Sequence, residues 1–305
     1  MMARVSPLTR RPAVPGDAVA VAELVVAYEQ SLYGETAYTQ DDLEAEWEAI
    51  DLARDTLVLV DGDEVVAFGS LHDRGELWRT DAYVHPSQQG HGIGTELAVE
   101  LEAIAGSRGA RRIQTGVAEP DAPGRRLFAA LGYEPVRVFR EMRIELTTQP
   151  ERPVWPAGIV ADEFDTDRDA VEFHAAQQEA FSDHWEYTPR GFEEWRGLHI
   201  ATERFDPSLW RVLRDGGEIA AGVICEANRY GGGWVGVLFT RRRWRGKGFG
   251  RALLREAFVR FWDRGERSVG LSVDADGTLG AFQLYENAGM RPALGWVMFE
   301  KDLQA

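Results

Sequence analysis

The feature that most constrains this chain is that it reads twice. Residues 78–105, WRTDAYVHPSQQGHGIGTELAVELEAIA, align with residues 234–261, WVGVLFTRRRWRGKGFGRALLREAFVRF. Trp78 matches Trp234, Gly92 matches Gly248 and Gly94 matches Gly250, each pair separated by 156 positions (234−78, 248−92, 250−94). Downstream, LFAALGYEP pairs with LYENAGMRP, so that Phe128 meets Tyr285 and Gly132 meets Gly289, both 157 apart (285−128, 289−132). Upstream, VDGDEVVAF pairs with RDGGEIAAG. A period of this size is a duplication of whole domains, since a solenoid repeats every 20 to 50 residues or so. The chain of 305 residues is long enough for two ordinary domains. The stretch 147–158, TTQPERPVWPAG, holds three prolines and no apolar periodicity, so it reads as a linker. The expected division is 1–148, a linker over 149–157, and 158–305.

Both copies give the same order of elements. An early strand precedes a helical pair, placed in the second copy at about 168–181 and 189–197. Two strands follow, joined by an Asp-Gly turn, the strongest short hairpin signal. A third strand, GWVGVLF, comes after a glycine turn at Gly231 to Gly233. A glycine-rich turn then opens a long helix in which Ala252, Leu253, Ala257, Phe258 and Phe261 recur at helical spacing. The strand RSVGLSV, a short helix holding Tyr285 and a final strand near GWVMFEK complete the copy. Hairpins followed by a strand–helix–strand crossover make a mixed α/β sheet.

Composition limits the functions. The formal net charge is −16, which argues against nonspecific nucleic-acid binding. No run of about 18 apolar residues is present, and the start MMARVSPLTRRPAV lacks the apolar core of a signal peptide. The single cysteine, Cys225, fits a reducing compartment, so a cytoplasmic protein is expected. Six scattered histidines offer no zinc spacing, and no metal is expected. Against this acidity one stretch stands out: RRRWRGKGFGR places Arg241, Arg242, Arg243, Arg245, Lys247 and Arg251 around Gly246, Gly248 and Gly250. The first N–H groups of a helix are unpaired and carry partial positive charge. Glycines leave nothing to hold a ligand off. The combination is an anion seat, most naturally for several phosphates. A Walker loop fails because Gly248, not Ser or Thr, follows Lys247, and a dinucleotide turn needs GxGxxG directly after a first parallel strand. A tight loop with solvated arginines stays open as the plainer reading.

These residues resemble the GNAT superfamily of N-acetyltransferases, whose cofactor loop is Gln/Arg-x-x-Gly-x-Gly/Ala. The pattern appears as Gln89-Gly90-His91-Gly92-Ile93-Gly94, followed by Thr95, and as Arg245-Gly246-Lys247-Gly248-Phe249-Gly250, followed by Arg251. AFQLYENAGMRP is a second signature at the expected distance, and the resemblance spans nearly the whole chain as two tandem domains. It implies, for each copy, a mostly antiparallel seven-stranded mixed sheet with flanking helices, splayed between its fourth and fifth strands. It implies acetyl-CoA, or another acyl-CoA, with pantetheine on Leu238 and Thr240 (Ala82 and Val84 in the first copy) and pyrophosphate on the turn N–H groups from Gly246 to Arg251.

The implied reaction is transfer of an acetyl group to a primary amine. An amine with a pKa of about 10.4 spends roughly 4 to 5 kcal/mol to become neutral at pH 7, and a departing thiolate leaves more readily when an acid protonates it. By resemblance Tyr285 is that acid; a core aromatic is the alternative, and the first copy has Phe128 there. Related tandem enzymes can carry a carboxylate on the fourth strand, where this chain has Trp234. Glu226, on the preceding strand, is the candidate base, with a solvated hairpin glutamate as the alternative. Gly277 and Thr278 stand where the family often has an asparagine contacting the cofactor. Asp183, His184, Trp185 and Glu186, with Tyr187, are the candidate acceptor-binding residues; carboxylates among aromatic walls suit a cation. The expected activity is N-acetylation of a small-molecule amine by the C-terminal copy, with the first copy non-catalytic. A non-catalytic acyl-CoA-binding regulator and a protein lysine acetyltransferase are the alternatives.

Overall fold

The computed structural model describes residues 8–277 and 280–303; Thr278 lies outside them. The chain forms two compact units, Met1–Phe139 with Leu294–Ala305, and Arg140–Ala293. In unit 1, β1 (Thr9–Arg11), α1 (Ala18–Tyr33), α2 (Gln40–Trp47) and the single turn α3 (Leu52–Asp55) precede the strands β2 (Thr56–Asp61), β3 (Glu64–Arg74) and β4 (Leu77–Val84). Then come α4 (Ile93–Ser107), β5 (Arg112–Ala118), α5 (Ala122–Ala130) and β6 (Glu134–Glu145). The second copy repeats the order: β7 (Ile159–Glu163), α6 (Thr166–Phe181), α7 (Phe192–His199), β8 (Arg211–Asp215), β9 (Glu218–Arg229), β10 (Gly232–Thr240), α8 (Phe249–Asp263), β11 (Ser268–Asp274), α9 (Ala281–Asn287) and β12 (Arg291–Asp302).

The pairs β1–β2, β2–β3, β3–β4, β5–β12, β7–β8, β8–β9 and β9–β10 are antiparallel, and β4–β5 and β10–β11 are parallel. The sheet is therefore mixed and mostly antiparallel, as the hairpin-then-crossover order requires. The strand order is β1-β2-β3-β4-β5-β12 in unit 1 and β6-β11-β10-β9-β8-β7 in unit 2. β6 and β12 each run unbroken for 12 residues and pass from one unit to the other, β6 after Phe139 and β12 after Ala293, so that seven strand segments fall in each unit among the described residues. The units also divide elsewhere than at 148 and 158. Arg140–Glu145 belongs to unit 2, and the end of the chain, from Leu294, belongs to unit 1. There Trp296–Asp302 pairs with Ala118–Arg112. A proline-rich stretch marks where regular structure stops, and residues 147–158 do lack helix and strand. It does not mark which core a flanking strand joins.

Local chemistry accounts for the elements. Asp165 caps α6 by accepting from the Arg168 N–H at 2.9 Å, and Ala170, Phe173, Ala176 and Ala180 bury one face. All five helical-spacing residues read from the sequence of α8 are buried. The β8–β9 hairpin turns on Gly216 and Gly217, both at positive φ (60° and 94°), a backbone that glycine adopts without strain.

One match between the copies is out of register. In unit 1 Arg79 faces His72, with Trp78 opposite Asp73. In unit 2 the residue facing Glu226, the counterpart of His72 (226−72 = 154), is Trp234. Trp234 thus stands where Arg79 does, one residue along from Trp78. A one-residue slip turns a side chain to the other face of the sheet. The register recovers through a bulge at Gly236, between the pairs Val235–Cys225 and Val237–Ile224. Trp78's own place is taken by Gly233, where an added Cβ would lie 2.4 Å from the ring of Phe261. Phe261 is the counterpart of Ala105 (261−105 = 156), which shares a core cluster with Trp78. A large strand residue over a small helix residue in one copy becomes glycine under phenylalanine in the other. The same close approach puts Gly232 and Gly233 inside β10, not in the preceding turn: a Cβ at Gly232 would sit 2.3 Å from the Ser268 carbonyl oxygen.

Because Gly233 has no side chain to move into the space, Phe261→Ala is expected to cost about 3 to 5 kcal/mol of stability. Denaturant unfolding measures this, and a loss under about 1 kcal/mol would contradict the packing described.

Candidate active site

In unit 2 the glycine turn has the geometry expected of an anion seat. Gly246 and Gly248 have φ of 75° and 84°, and a Cβ at either would meet nothing within 4 Å. Gly248 is the N-cap of α8 and supplies no side-chain cap, so the first-turn N–H groups face open space. Phe249 turns inward, 3% exposed, and offers only its backbone. Gly250 also faces inward: a Cβ there would lie 3.3 Å from Leu284 and 3.8 Å from the Thr240 hydroxyl. Unit 1 repeats this, with Gly90 and Gly92 at φ of 81° and 87° and Gly94 facing Leu127 and Val84 at 3.2 and 3.6 Å. Ile93 is likewise buried, while Gln89, His91 and Thr95 are exposed.

Both strands beside these turns lose their parallel partner. β10 pairs with β11 only at Gly233–Val269 and Trp234–Gly270, although its pairing with β9 continues to Thr240. Leu238 and Thr240 lie on the freed edge, past the bulge at Gly236. In unit 1, β4 leaves β5 after Thr80–Thr115, and Ala82 and Val84 lie beyond; the β3–β4 register has no bulge.

The basic residues divide into two groups, which the sequence does not reveal. Arg241 donates to Glu179 at 2.6 Å and Arg243 pairs with Glu218 at 3.4 Å, while both guanidiniums lie over the Trp244 ring. Arg242 and Arg245 both donate to Asp183, at 2.8 and 2.9 Å. Arg245 also donates to the carbonyls of Ala180 and Thr240, at 2.8 and 3.3 Å. Lys247 and Arg251 are exposed and form no ion pair among the described residues. Only these two are unengaged cations beside the turn. The reading of six arginines and lysines as one phosphate seat is corrected accordingly: four of them fasten the turn to carboxylates.

The unit 1 turn is electrostatically poorer. An open groove of ≈ 610 Å³ is lined by Gly92, Thr95, Glu96, Val99 and Glu100. Glu96 stands in the first turn of α4 and pairs, with Glu100, to Arg10. At the matching position (96+156) α8 has Ala252, and at Thr95's it has Arg251. A carboxylate at a helix N-terminus offsets the positive end that would attract phosphate.

Tyr285 and Phe128 are each 8% exposed, so the aromatic position is conserved in shape between the copies. Burial pushes the Tyr285 hydroxyl up to about 12, and it makes no hydrogen bond with a described residue. It is therefore protonated at neutral pH, the state an acid needs. Glu226 is not a free carboxylate: it accepts from Arg229 at 2.6 Å, and Arg229 also donates to the Tyr230 hydroxyl at 3.0 Å. Its other oxygen lies 3.5 Å from the Cβ position of Gly236. Glu226 does stand beside the bulge, but its carboxylate is held by the Arg229 guanidinium.

The acceptor residues follow α6. Asp183, held by two arginines, has its carboxyl lowered to about 2, first by the hydrogen bond from Arg242 and then by that from Arg245. It is committed to the turn and not open to an amine. The His184 ring packs on Phe181 at 4.4 Å, and burial, aided by the charge of Arg245, lowers its pKa, leaving the imidazole neutral at pH 7. Trp185 and Glu186 are half-buried, with Glu186 at φ 49°. Tyr187 donates to Gln178, which also accepts from the Arg190 N–H at 3.0 Å. Arg229 and Gln178 were not found from the sequence; their roles depend on partners distant in the chain or on a left-handed turn at Asn228 and Tyr230. Among the described residues no group of three or more His, Cys, Asp or Glu side chains could hold a metal ion, and no helix is long and apolar enough to cross a membrane.

The acetyltransferase (GNAT) family matches residues 19–133 and again 169–290. A mycothiol acetyltransferase of Streptomyces scabiei is 30% identical over 254 residues, covering 81% of this chain and 78% of that protein. One from Thermobispora bispora is 32% identical over 246 residues, covering 76% and 79%. A solved GCN5-related N-acetyltransferase from Sphaerobacter thermophilus superposes with a TM-score of 0.88 at 32% identity, over 98% of this chain and 97% of that one. A tandem GNAT protein from the clavulanic acid biosynthesis pathway shares the fold, with a TM-score of 0.74 at 18% identity over 98% and 99%. With both copies matched and both turns in place, the chain belongs to the GNAT family of acetyltransferases and is an acyltransferase enzyme of two tandem copies.

Proposed function

We propose that this chain moves an acetyl group from acetyl-CoA to a primary amine of a small molecule, and that the second copy performs the transfer. The observation that carries the assignment is the difference between two otherwise matched sites. Only unit 2 combines a protonated tyrosine, a strand bulge at the opening of the sheet, and unengaged cations at the turn. The relatives named mycothiol acetyltransferase support a small-molecule acceptor. The open turn fits the cofactor's phosphates: the N–H groups from Gly246 to Arg251 would hold them, with Lys247 and Arg251 adding charge, and the freed edge at Leu238 and Thr240 would hold the pantetheine amides. When bound, the cofactor supplies an activated acetyl thioester. Tyr285, kept protonated by burial, would give its hydroxyl proton to the departing sulfur. The proton of the amine would pass to water, since Glu226, the candidate base, is engaged by Arg229.

Three variants test this reading. Gly248→Val sets a branched side chain at a left-handed position on the approach to the turn, so calorimetry is expected to show loss of acetyl-CoA binding at this site. Unchanged stoichiometry and affinity would remove the assignment. Gly92→Val is expected to leave most turnover intact, and near-total loss in a well-folded variant would place the chemistry in unit 1. Tyr285→Phe is expected to lower kcat by about 10² to 10⁴ with little change in acetyl-CoA affinity, because its hydroxyl acts on charge that develops in the transition state. A kcat within threefold of the parent, with chemistry rate-limiting, would exclude Tyr285 as the acid.

A further inference from the structure

The carboxylate of Asp183 has an unusual position. It lies two residues beyond α6, in the segment that leads to the candidate acceptor residues, yet its partners are the two arginines that flank the start of the cofactor turn. Arg242 Nε donates to it at 2.8 Å and Arg245 Nη1 at 2.9 Å, and Arg242 also donates to the Ser182 hydroxyl at 2.9 Å. Two arginine forks converging on one carboxylate are what an arriving phosphate would meet at the same place. Unit 1 provides a built-in contrast. Glu35 stands two residues beyond α1, a helix of the same 16-residue length, but it forms no ion pair among the described residues. The unit 1 turn has Pro86, Gln89 and His91 where Arg242, Arg245 and Lys247 stand in unit 2. The pairing therefore accompanies the charged turn and not the fold.

We propose that Asp183 is an internal stand-in for the cofactor's phosphates: it holds Arg242 and Arg245 in their absence, and phosphate displaces it, loosening residues 182–184. This rests on the cofactor site proposed above. The carboxylate and the phosphates are both anions seeking the same donors, so they compete. Arg242 is the exchangeable partner, with its side chain 54% exposed. Arg245 is anchored by the Ala180 and Thr240 carbonyls and stays in place to receive either anion. The loosened stretch ends at His184, beside the candidate acceptor residues, and Tyr187 stays fastened to Gln178, so the start of that loop becomes mobile only on a loaded enzyme. Binding would then be ordered, with the cofactor first. Asp183 acts here as a positioning residue and touches neither acetyl group nor amine.

The test uses the full-length chain, CoA as the probe, and the variant Asp183→Asn, which keeps the shape and removes the charge. Calorimetry gives the CoA affinity, hydrogen exchange follows residues 182–184, and thermal melts verify that the variant is folded. In the parent, CoA is expected to speed exchange of 182–184. In Asp183→Asn the segment exchanges fast without CoA and does not respond to it, and CoA binds about three- to fivefold more tightly because the competing anion is gone. The gain shrinks as salt rises. Weaker binding by the variant would overturn the proposal, since Asp183 would then be ordering the arginines for phosphate. CoA binding to the parent without faster exchange at 182–184 would overturn the coupling alone, and absence of CoA binding to the parent would overturn the cofactor site and this inference together.

Discussion

The parting of β10 from β11 after Trp234–Gly270 is the constraint on which the site depends. Two parallel strands that stop pairing leave a row of backbone donors and acceptors with no partner inside the sheet, and such groups are costly to bury unmet. The opening is tolerable only because its edge reaches solvent or a ligand able to form the same bonds. Several side-chain choices hold it in place. Gly270 leaves room for the Trp234 ring, whose atoms would lie 2.7 Å from an added Cβ, and Gly236 absorbs the extra residue of the bulge. Gly250 lets the start of α8 lie close to Thr240 and Leu284, at the end of the same opening. Strand edge and helix N-terminus are thus presented together, one with backbone groups that have left their partner strand and the other with unpaired N–H groups.

Comparison of the two copies separates what the fold requires from what the chemistry requires. The left-handed glycines, the inward third glycine and the buried ring before Gly132 or Gly289 occur in both. The bulge, the hydroxyl on that ring and the cations at the turn occur in unit 2 only. Residues that pack the sheet trade size across facing positions, as Trp78 with Ala105 and Gly233 with Phe261 do, which keeps a core filled while its register shifts.

Much of this was legible in the sequence because it is local. The turn glycines, the apolar face of α8 and the Asp-Gly hairpins depend on residues a few positions apart, and each appeared where its pattern put it. The duplication made the assignment firmer, since the same Gly-x-Gly recurs at one place in the fold. Most of the misreadings involved longer reach. Trp78 and Trp234 look equivalent in an alignment, but a bulge two residues away sends their rings to opposite faces. Asp183 reads as a binding carboxylate because nothing nearby in sequence shows that Arg242 and Arg245 arrive from some 60 positions on. Glu226 reads as a candidate base until Arg229, three residues on along β9, is seen to engage it, a local pairing that the sequence pattern does not show.

The last strand has a consequence for how the chain acquires its structure. Trp296–Asp302 forms the ladder with β5, and Lys301 donates to Glu102 of α4 at 2.7 Å. The sheet of the first unit therefore lacks the partner of β5 until residues 296–302 have been synthesised. A ribosome-bound chain that has already produced every residue up to 139 still exposes the unpaired side of β5, a template for strands from other chains. Leu294–Asp302 thus acts as a closing piece for the first unit, and the two halves of the duplication are not separable by a single cut.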